Sequence, residues 1–142
     1  MVRYKKRYAL VFIDPPFKIS TERLQQIFRE HIITLFGITF SEMAQSLQIM
    51  YYHPYTGTLI IRTRLMFIDY LRVALLYFNR AGDNRFDAIV EHVSATMKQL
   101  SKIFEGKIRQ YILYNAHKCD PVKLTAALAE VLSSMEQLKI NS

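Results

Sequence analysis

The sequence predicts an α+β fold, and three observations carry the prediction. Uncharged or alternating β-forming runs at Tyr8–Ile13, Leu47–Tyr52, Thr58–Leu65 and Phe86–Val93 read as four strands. Amphipathic segments of helical spacing separate the first strand from the second and the third from the fourth. Two further helical segments follow the last strand. The order is β-α-β-β-α-β plus two C-terminal helices, the ferredoxin-like or RRM-like plan with an extension.

Each element has its own reason. Asp14-Pro15-Pro16 stops the first strand, because proline donates nothing to a ladder. Ser20 is placed as an N-cap, with Ile19 and Leu24 as a hydrophobic staple. Leu24, Ile27, Phe28, His31, Ile32 and Leu35 then repeat at helical spacing up to Gly37, a natural C′ residue. Residues 38–46 suit a strand start, a turn or a short helix equally. His53-Pro54-Tyr55-Thr56-Gly57 reads as a hairpin loop. In the strand after it, Leu59, Ile61, Thr63 and Leu65 point one way, and Thr58, Ile60, Arg62 and Arg64 the other. Phe67, Tyr70, Leu71, Ala74, Leu75 and Phe78 mark the second helix, with Gly82 closing it. Thr96 or Ser94 caps a third helix reaching about Asn115. Its apolar side is Leu100, Ile103, Phe104, Ile108 and Tyr111; Lys98, Lys102, Glu105 and Arg109 form a stripe on its other side. Asp120 and Pro121 open a last helix as N-cap and N1, and Leu124, Leu128, Val131, Leu132, Met135 and Leu138 are its apolar face. These two helices either cover the free face of the sheet or extend the helical layer; both packings fit the pattern.

The 142 residues suit one domain, read as a basic arm (1–8), a ferredoxin-like core (9–93) and C-terminal helices (94–142). The net charge is +7, and Arg3, Lys5, Lys6 and Arg7 supply +4 of it within the first eight residues. Clustered excess charge of this kind points to a polyanionic partner. A terminal arm of this kind is expected to be unordered until its polyanionic partner holds it. One cysteine, Cys119, allows no internal disulfide and fits a reducing compartment. No run approaches the ~20 apolar residues of a membrane helix, so a soluble, intracellular protein without a membrane partner is expected.

Catalytic constellations are missing from the pattern. The histidines His31, His53, His92 and His117 include no helical metal pair, and His117 with Cys119 lacks a second ligand pair. No glycine-rich phosphate loop occurs. Asp69 and Asp120 suit helix starts, not a carboxylate dyad. His31 sits on an apolar helix side, as a hydrogen-bonded, partly buried histidine does. No catalytic residue, metal or protein-bound cofactor is therefore assigned.

The basic features are the N-terminal cluster, Arg62 with Arg64, and the stripe of Lys98, Lys102 and Arg109. Such side chains grip phosphates and set position without reading bases. Tyr4, Tyr8, Tyr51, Tyr52 and Tyr55 are interleaved with them; base stacking is one use for these rings, and core or rim packing is the commoner one. The third strand, Thr56-Gly57-Thr58-Leu59-Ile60-Ile61-Arg62-Thr63, lacks the aromatic pattern of single-strand RNA-recognition modules. Backbone and shape recognition of a structured RNA fits better.

Three stretches resemble one family. Met1-Val2-Arg3-Tyr4-Lys5-Lys6-Arg7-Tyr8, then Tyr55-Thr56-Gly57 with Arg62-Thr63-Arg64, then His92-Val93-Ser94-Ala95-Thr96 with Lys98 are similar in order and spacing to the "processing of precursors" number-five subunit of ribonuclease P and ribonuclease MRP. The family usually has glycine at Ala95 and arginine at Lys98. The resemblance implies a non-catalytic RNA-binding subunit bracing a catalytic RNA, which uses magnesium to remove the 5′ leader of precursor tRNA or, in MRP, to cut precursor rRNA. It implies as partners the particle RNA, a TIM-barrel subunit and a ferredoxin-like sister subunit, with precursor tRNA contacted indirectly. It implies a nuclear or nucleolar site in a eukaryote and a cytoplasmic one in an archaeon. On matching positions it makes Arg3, Lys5, Lys6, Arg7, Arg62, Arg64 and Lys98 RNA contacts, with Thr96 offering a hydroxyl or backbone N–H to a phosphate at a helix start. The rival reading is a ferredoxin-like protein–protein module that binds no RNA; there the outer sheet face is a dimer seam, and Arg62 and Arg64 meet carboxylates. A free-standing nuclease is the third reading, and the missing acidic constellation argues against it.

Overall fold

The computed structural model describes residues 5–114 and 120–141. Its strands are β1 (Lys6–Asp14), β2 (Gln48–Tyr52), β3 (Thr58–Arg64), a small hairpin of β4 (Arg80–Ala81) and β5 (Asn84–Arg85), and β6 (Asp87–Ser94). Its α-helices are α1 (Thr21–Phe36), α2 (Ser41–Ser46), α3 (Ile68–Leu76), α4 (Met97–Tyr114) and α5 (Pro121–Asn141). The main sheet is antiparallel in the order β2-β3-β1-β6. This is the ferredoxin-like arrangement, with the first strand at the centre.

The helix starts follow the capping chemistry. Ser20 Oγ accepts the Arg23 N–H at 3.2 Å, and Asp120 Oδ1 accepts the Val122 N–H at 3.0 Å. Gly37, at φ +93°, closes α1 with its N–H on Ile33 O at 2.8 Å.

The sheet is buried on both faces. On one, Ala9, Val11, Ile13, Leu59 and Ile61 pack with Leu24, Phe28 and Ile32 of α1 and with Leu71 and Leu75 of α3. On the other, Tyr8, Leu10 and Ile60 pack under Met97, Leu100 and Phe104 of α4 and Leu124, Leu128, Val131 and Met135 of α5. The two C-terminal helices therefore cover the free face, which decides between the two packings left open by their apolar stripes. They also occupy the face a dimer seam would need. A hydrogen bond from Ser101 Oγ to Glu136 Oε1 (3.1 Å) joins α4 to α5. His53, in the β2–β3 loop, reaches α5. Its Nδ1 accepts the N–H groups of Tyr55 and Thr56, so Nε2 carries the proton and faces Glu130 Oε2 at 3.4 Å.

Several expectations are corrected. β1 starts at Lys6, so Lys6, Arg7 and Tyr8 belong to the sheet and not to an arm; Tyr8 is buried. β3 ends at Arg64, and Leu65 is exposed in a 3-10 turn, because the chain must bend there into α3. Residues 38–46 form a 3-10 turn and α2. Gly82, at φ +63°, does not end α3; it turns the β4–β5 hairpin, which the short stretch Arg80–Arg85 gave no apolar pattern to reveal. Phe86 precedes β6 and stacks on Phe17 with centroids 5.2 Å apart. His31 Nε2 lies 2.9 Å from Ala74 O, the structural role expected of it. Arg3, Tyr4, His117 and Cys119 lie outside the described residues, as does the side chain of Arg109.

Candidate nucleic-acid interface

The register gathers most of the basic residues at one end of the sheet. β1 and β2 begin there, and β3 and β6 end there. Lys6 lies opposite Arg64, Arg7 opposite Thr63, and Tyr8 opposite both Arg62 and Ser94. In an antiparallel pair, residues directly opposite share a face. Lys6, Arg62 and Arg64 thus lie on the α4/α5 side, and Arg7 on the α1/α3 side. The Lys5 carbonyl continues the ladder by accepting the Leu65 N–H at 2.7 Å. β6 ends at Ser94, so α4 starts beside this same end and carries Thr96 and Lys98 to it. Lys102 is exposed one turn farther along α4.

The partners of these cations differ, and the difference sorts them. Lys5, Lys6, Lys98 and Lys102 are exposed, with no ion pair among the described residues. Arg7 Nη1 donates to Lys6 O at 2.9 Å. Arg62 donates to the neutral side chain of Gln48, which holds the guanidinium in place and leaves its charge uncompensated. Arg64 instead meets Glu42 of α2 at 2.6 Å. A polyanion must share or displace that carboxylate, so Arg64 offers less than Arg62. The rival expectation that both arginines meet carboxylates holds for Arg64 alone. Thr96 Oγ1 accepts the Gln99 N–H at 3.2 Å and is the N-cap of α4; its hydroxyl hydrogen remains for another acceptor.

The tyrosines are mostly structural. Tyr8 lies beneath α4. The Tyr52 hydroxyl donates to Phe17 O at 2.7 Å and accepts the Phe17 N–H at 3.1 Å. Burial pushes the Tyr51 and Tyr52 phenols above the ordinary tyrosine value. Among the described tyrosines of the stacking set, Tyr55 alone is exposed, at the hairpin tip. With the sheet face under α4 and α5, base stacking on central strands has no surface here.

The opposite end of the sheet is different in charge. Asp14 lies opposite Asp87, beside an open cleft of about 560 Å³ whose walls include Asn79, Arg80, Arg85 and Phe86. Among the described residues no group of three or more His, Cys, Asp or Glu side chains is placed to hold a metal ion.

A second surface lies on the α1/α3 layer. Met66, Tyr70, Val73 and Tyr77 follow one another at helical spacing and are exposed, with Ile38 nearby in sequence to Phe36 and Phe40. Phe36, Phe40 and Tyr70 form a ring cluster with centroids 4.9–5.8 Å apart. Sequence reasoning missed this patch. The signal was present in Met66, Val73 and Tyr77, apolar residues flanking the core stripe of the helix pattern; Tyr70, read in that stripe, is exposed instead.

A family model described as Rpp14/Pop5 matches residues 7–104. The chain belongs to the Rpp14/Pop5 family. The matched segment runs from Arg7 of β1 through β6 and into α4, so it contains the gathered cations except Lys5 and Lys6. A chain in the cryo-EM structure of yeast ribonuclease MRP shares the fold, with a TM-score of 0.51 and 11% identity over 78% of this chain and 96% of that one. No curated protein matches the sequence significantly.

Proposed function

We propose that this chain is a non-catalytic RNA-binding subunit of a ribonuclease P ribonucleoprotein, and of ribonuclease MRP where that particle exists. The observation that carries the reading is the convergence of Lys5, Lys6, Arg7, Arg62, Arg64 and Lys98 at one end of the sheet, where the bonded carboxylate is Glu42. Family membership and the shared fold support it. The chemistry follows from the geometry. A covered sheet face leaves no base-stacking platform, so the protein neutralises phosphates of a folded RNA and braces its shape. Hydrolysis of the precursor tRNA or rRNA belongs to the RNA and its magnesium ions. The TIM-barrel and ferredoxin-like sister subunits take the apolar α1/α3 surface, since large exposed apolar patches mark protein contacts. Assembly places the chain in the nucleus or nucleolus of a eukaryote, or the cytoplasm of an archaeon.

The test is recovery of RNA with the tagged chain from its native cell. A single structured RNA with a ribonuclease P-like core is expected, and Lys5/Lys6/Arg7→Ala weakens its recovery. With roughly five uncompensated cations on phosphates, affinity falls about 100- to 500-fold between ~50 and ~200 mM salt. Recovery of proteins alone, unchanged by nuclease, transfers the function to the protein–protein module.

A further inference from the structure

The two edges of the sheet are finished differently. β2 has five residues and a bulge, and α1 closes its outer side: Gln25 Oε1 accepts the Ile49 N–H at 2.8 Å, and Arg29 Nη2 donates to Leu47 O at 2.8 Å. These devices suppress pairing with another strand. β6 has eight residues, and among the described residues nothing outside the β1 ladder is bonded to its backbone. Ile89 is 49% exposed on this strand. A bulge at Glu91 interrupts the ladder, leaving Asp87–Val90 as the straight part of the open edge.

The charge on this edge selects the occupant. Asp87 lies opposite Asp14, and neither is ion-paired among the described residues. Glu91, on the same side, is held by Lys107 at 3.1 Å. Arg80 and Arg85 line the cleft beside Asp14 and Asp87, so charge here is mixed and the strand edge itself presents an acid, not a run of cations for a phosphate backbone. A second copy is disfavoured too: antiparallel pairing about Ile89 sets Asp87 of one copy against Glu91 of the other, twice. What fits is a strand with a basic residue against Asp87 and an apolar residue against Ile89.

We propose that the outer edge of β6 from Asp87 to Val90 is a strand-addition site for a protein partner, taking an extended segment that sets a basic residue against Asp87 and an apolar one against Ile89. Backbone pairing supplies the adhesion and the flanking charges supply the choice. This site is separate from the basic end and stands whether or not that end binds RNA.

The probe is a blocked peptide, Thr-Lys-Thr-Val-Thr-Lys-Thr, titrated into the full chain with amide hydrogen exchange followed by NMR. Two control peptides replace lysine by glutamate, or carry backbone N-methyl groups on alternate residues. The expected result is fast exchange at alternate β6 amides in the free chain, slowed by the probe and by neither control, with β2 unchanged. Asp87→Lys, an exposed position, weakens the probe about tenfold, and Ile89→Lys abolishes it with unchanged circular dichroism. The proposal is overturned by β6 amides already protected in the free monomer, by equal binding of the N-methylated peptide, or by self-association through β6. In the purified particle, β6 protection that survives nuclease supports a protein strand, and protection lost with the RNA overturns it.

Discussion

Replacing Gly57 by alanine tests whether the β2–β3 hairpin is locked to the central strand as the geometry says. Gly57 sits at φ +74°, and a Cβ built there lies 2.1 Å from the carbonyl oxygen of Ile13. The left-handed backbone alone costs an L-residue about 1–2 kcal/mol. The overlap is with backbone, not with a yielding side-chain tip, so β1 and the loop must separate. That separation breaks the bond from Ile13 N–H to Gly57 O, 2.9 Å long at a residue only 1% exposed. A buried donor left unsatisfied adds about 1–3 kcal/mol. The two together give a loss of about 3 kcal/mol, and a melting temperature lower by roughly 6–12 °C for a domain of this size. Urea unfolding followed by circular dichroism measures it, with two companions as controls. Gly82→Ala has a similar φ of +63° and open space around it, so it loses only about 1–2 kcal/mol. Gly106→Ala, inside α4 with nothing within 4 Å, gains about 0.5–1 kcal/mol. If Gly57→Ala and Gly82→Ala cost the same, the close approach to Ile13 is relieved freely and the reasoning is wrong.

Three further outcomes follow from the structure. Val131→Ala, at a fully buried position of α5 against the sheet, lowers unfolding free energy by about 1–3 kcal/mol and raises dye binding to newly accessible apolar surface; an unchanged urea midpoint means α5 does not cover the sheet in solution. If the proposed RNA binding holds, Arg62→Ala weakens it more than Arg64→Ala, because Glu42 already compensates Arg64; salt titrations should show a slope reduced by about one for Arg62→Ala and by less for Arg64→Ala. The Glu136 carboxyl is held below the ordinary glutamate value by hydrogen bonds from Lys139 and then Ser101. A depressed carboxyl pKa gives stability that is present above the unfolded-state value and lost as pH falls through the folded one. Glu136→Gln therefore lowers stability slightly on the neutral side, leaves the strongly acid end nearly unchanged and flattens the slope between them, as urea midpoints followed from acid to neutral pH will show.

Which parts were legible in the sequence follows from the range of the forces involved. Ser20, Gly37 and Asp120 act within a few residues, so their caps could be read directly and stand as expected. The breaks at Leu65 and Gly82 could not, because a strand's end and a hairpin's start there depend on where α3 must pack. Among the candidate RNA-contact residues, the charges were plain in the sequence. That Lys6 would stand opposite Arg64, 58 positions away, required the β1–β3 register. That Glu42 would take Arg64 while a neutral amide takes Arg62 required α2 to be placed at the sheet's end.

The sequence by itself determined the order of the four main strands and four main helices, the excess of positive charge and which side of those helices is apolar, since periodicity and composition are local properties of a chain. The tertiary structure decided what those sides pack against. An amphipathic stripe records that a face is buried and not against what. Only the packed structure shows α4 and α5 lying over the sheet, closing its second face and leaving the basic end, the α1/α3 patch and the β6 edge as the surfaces open to partners.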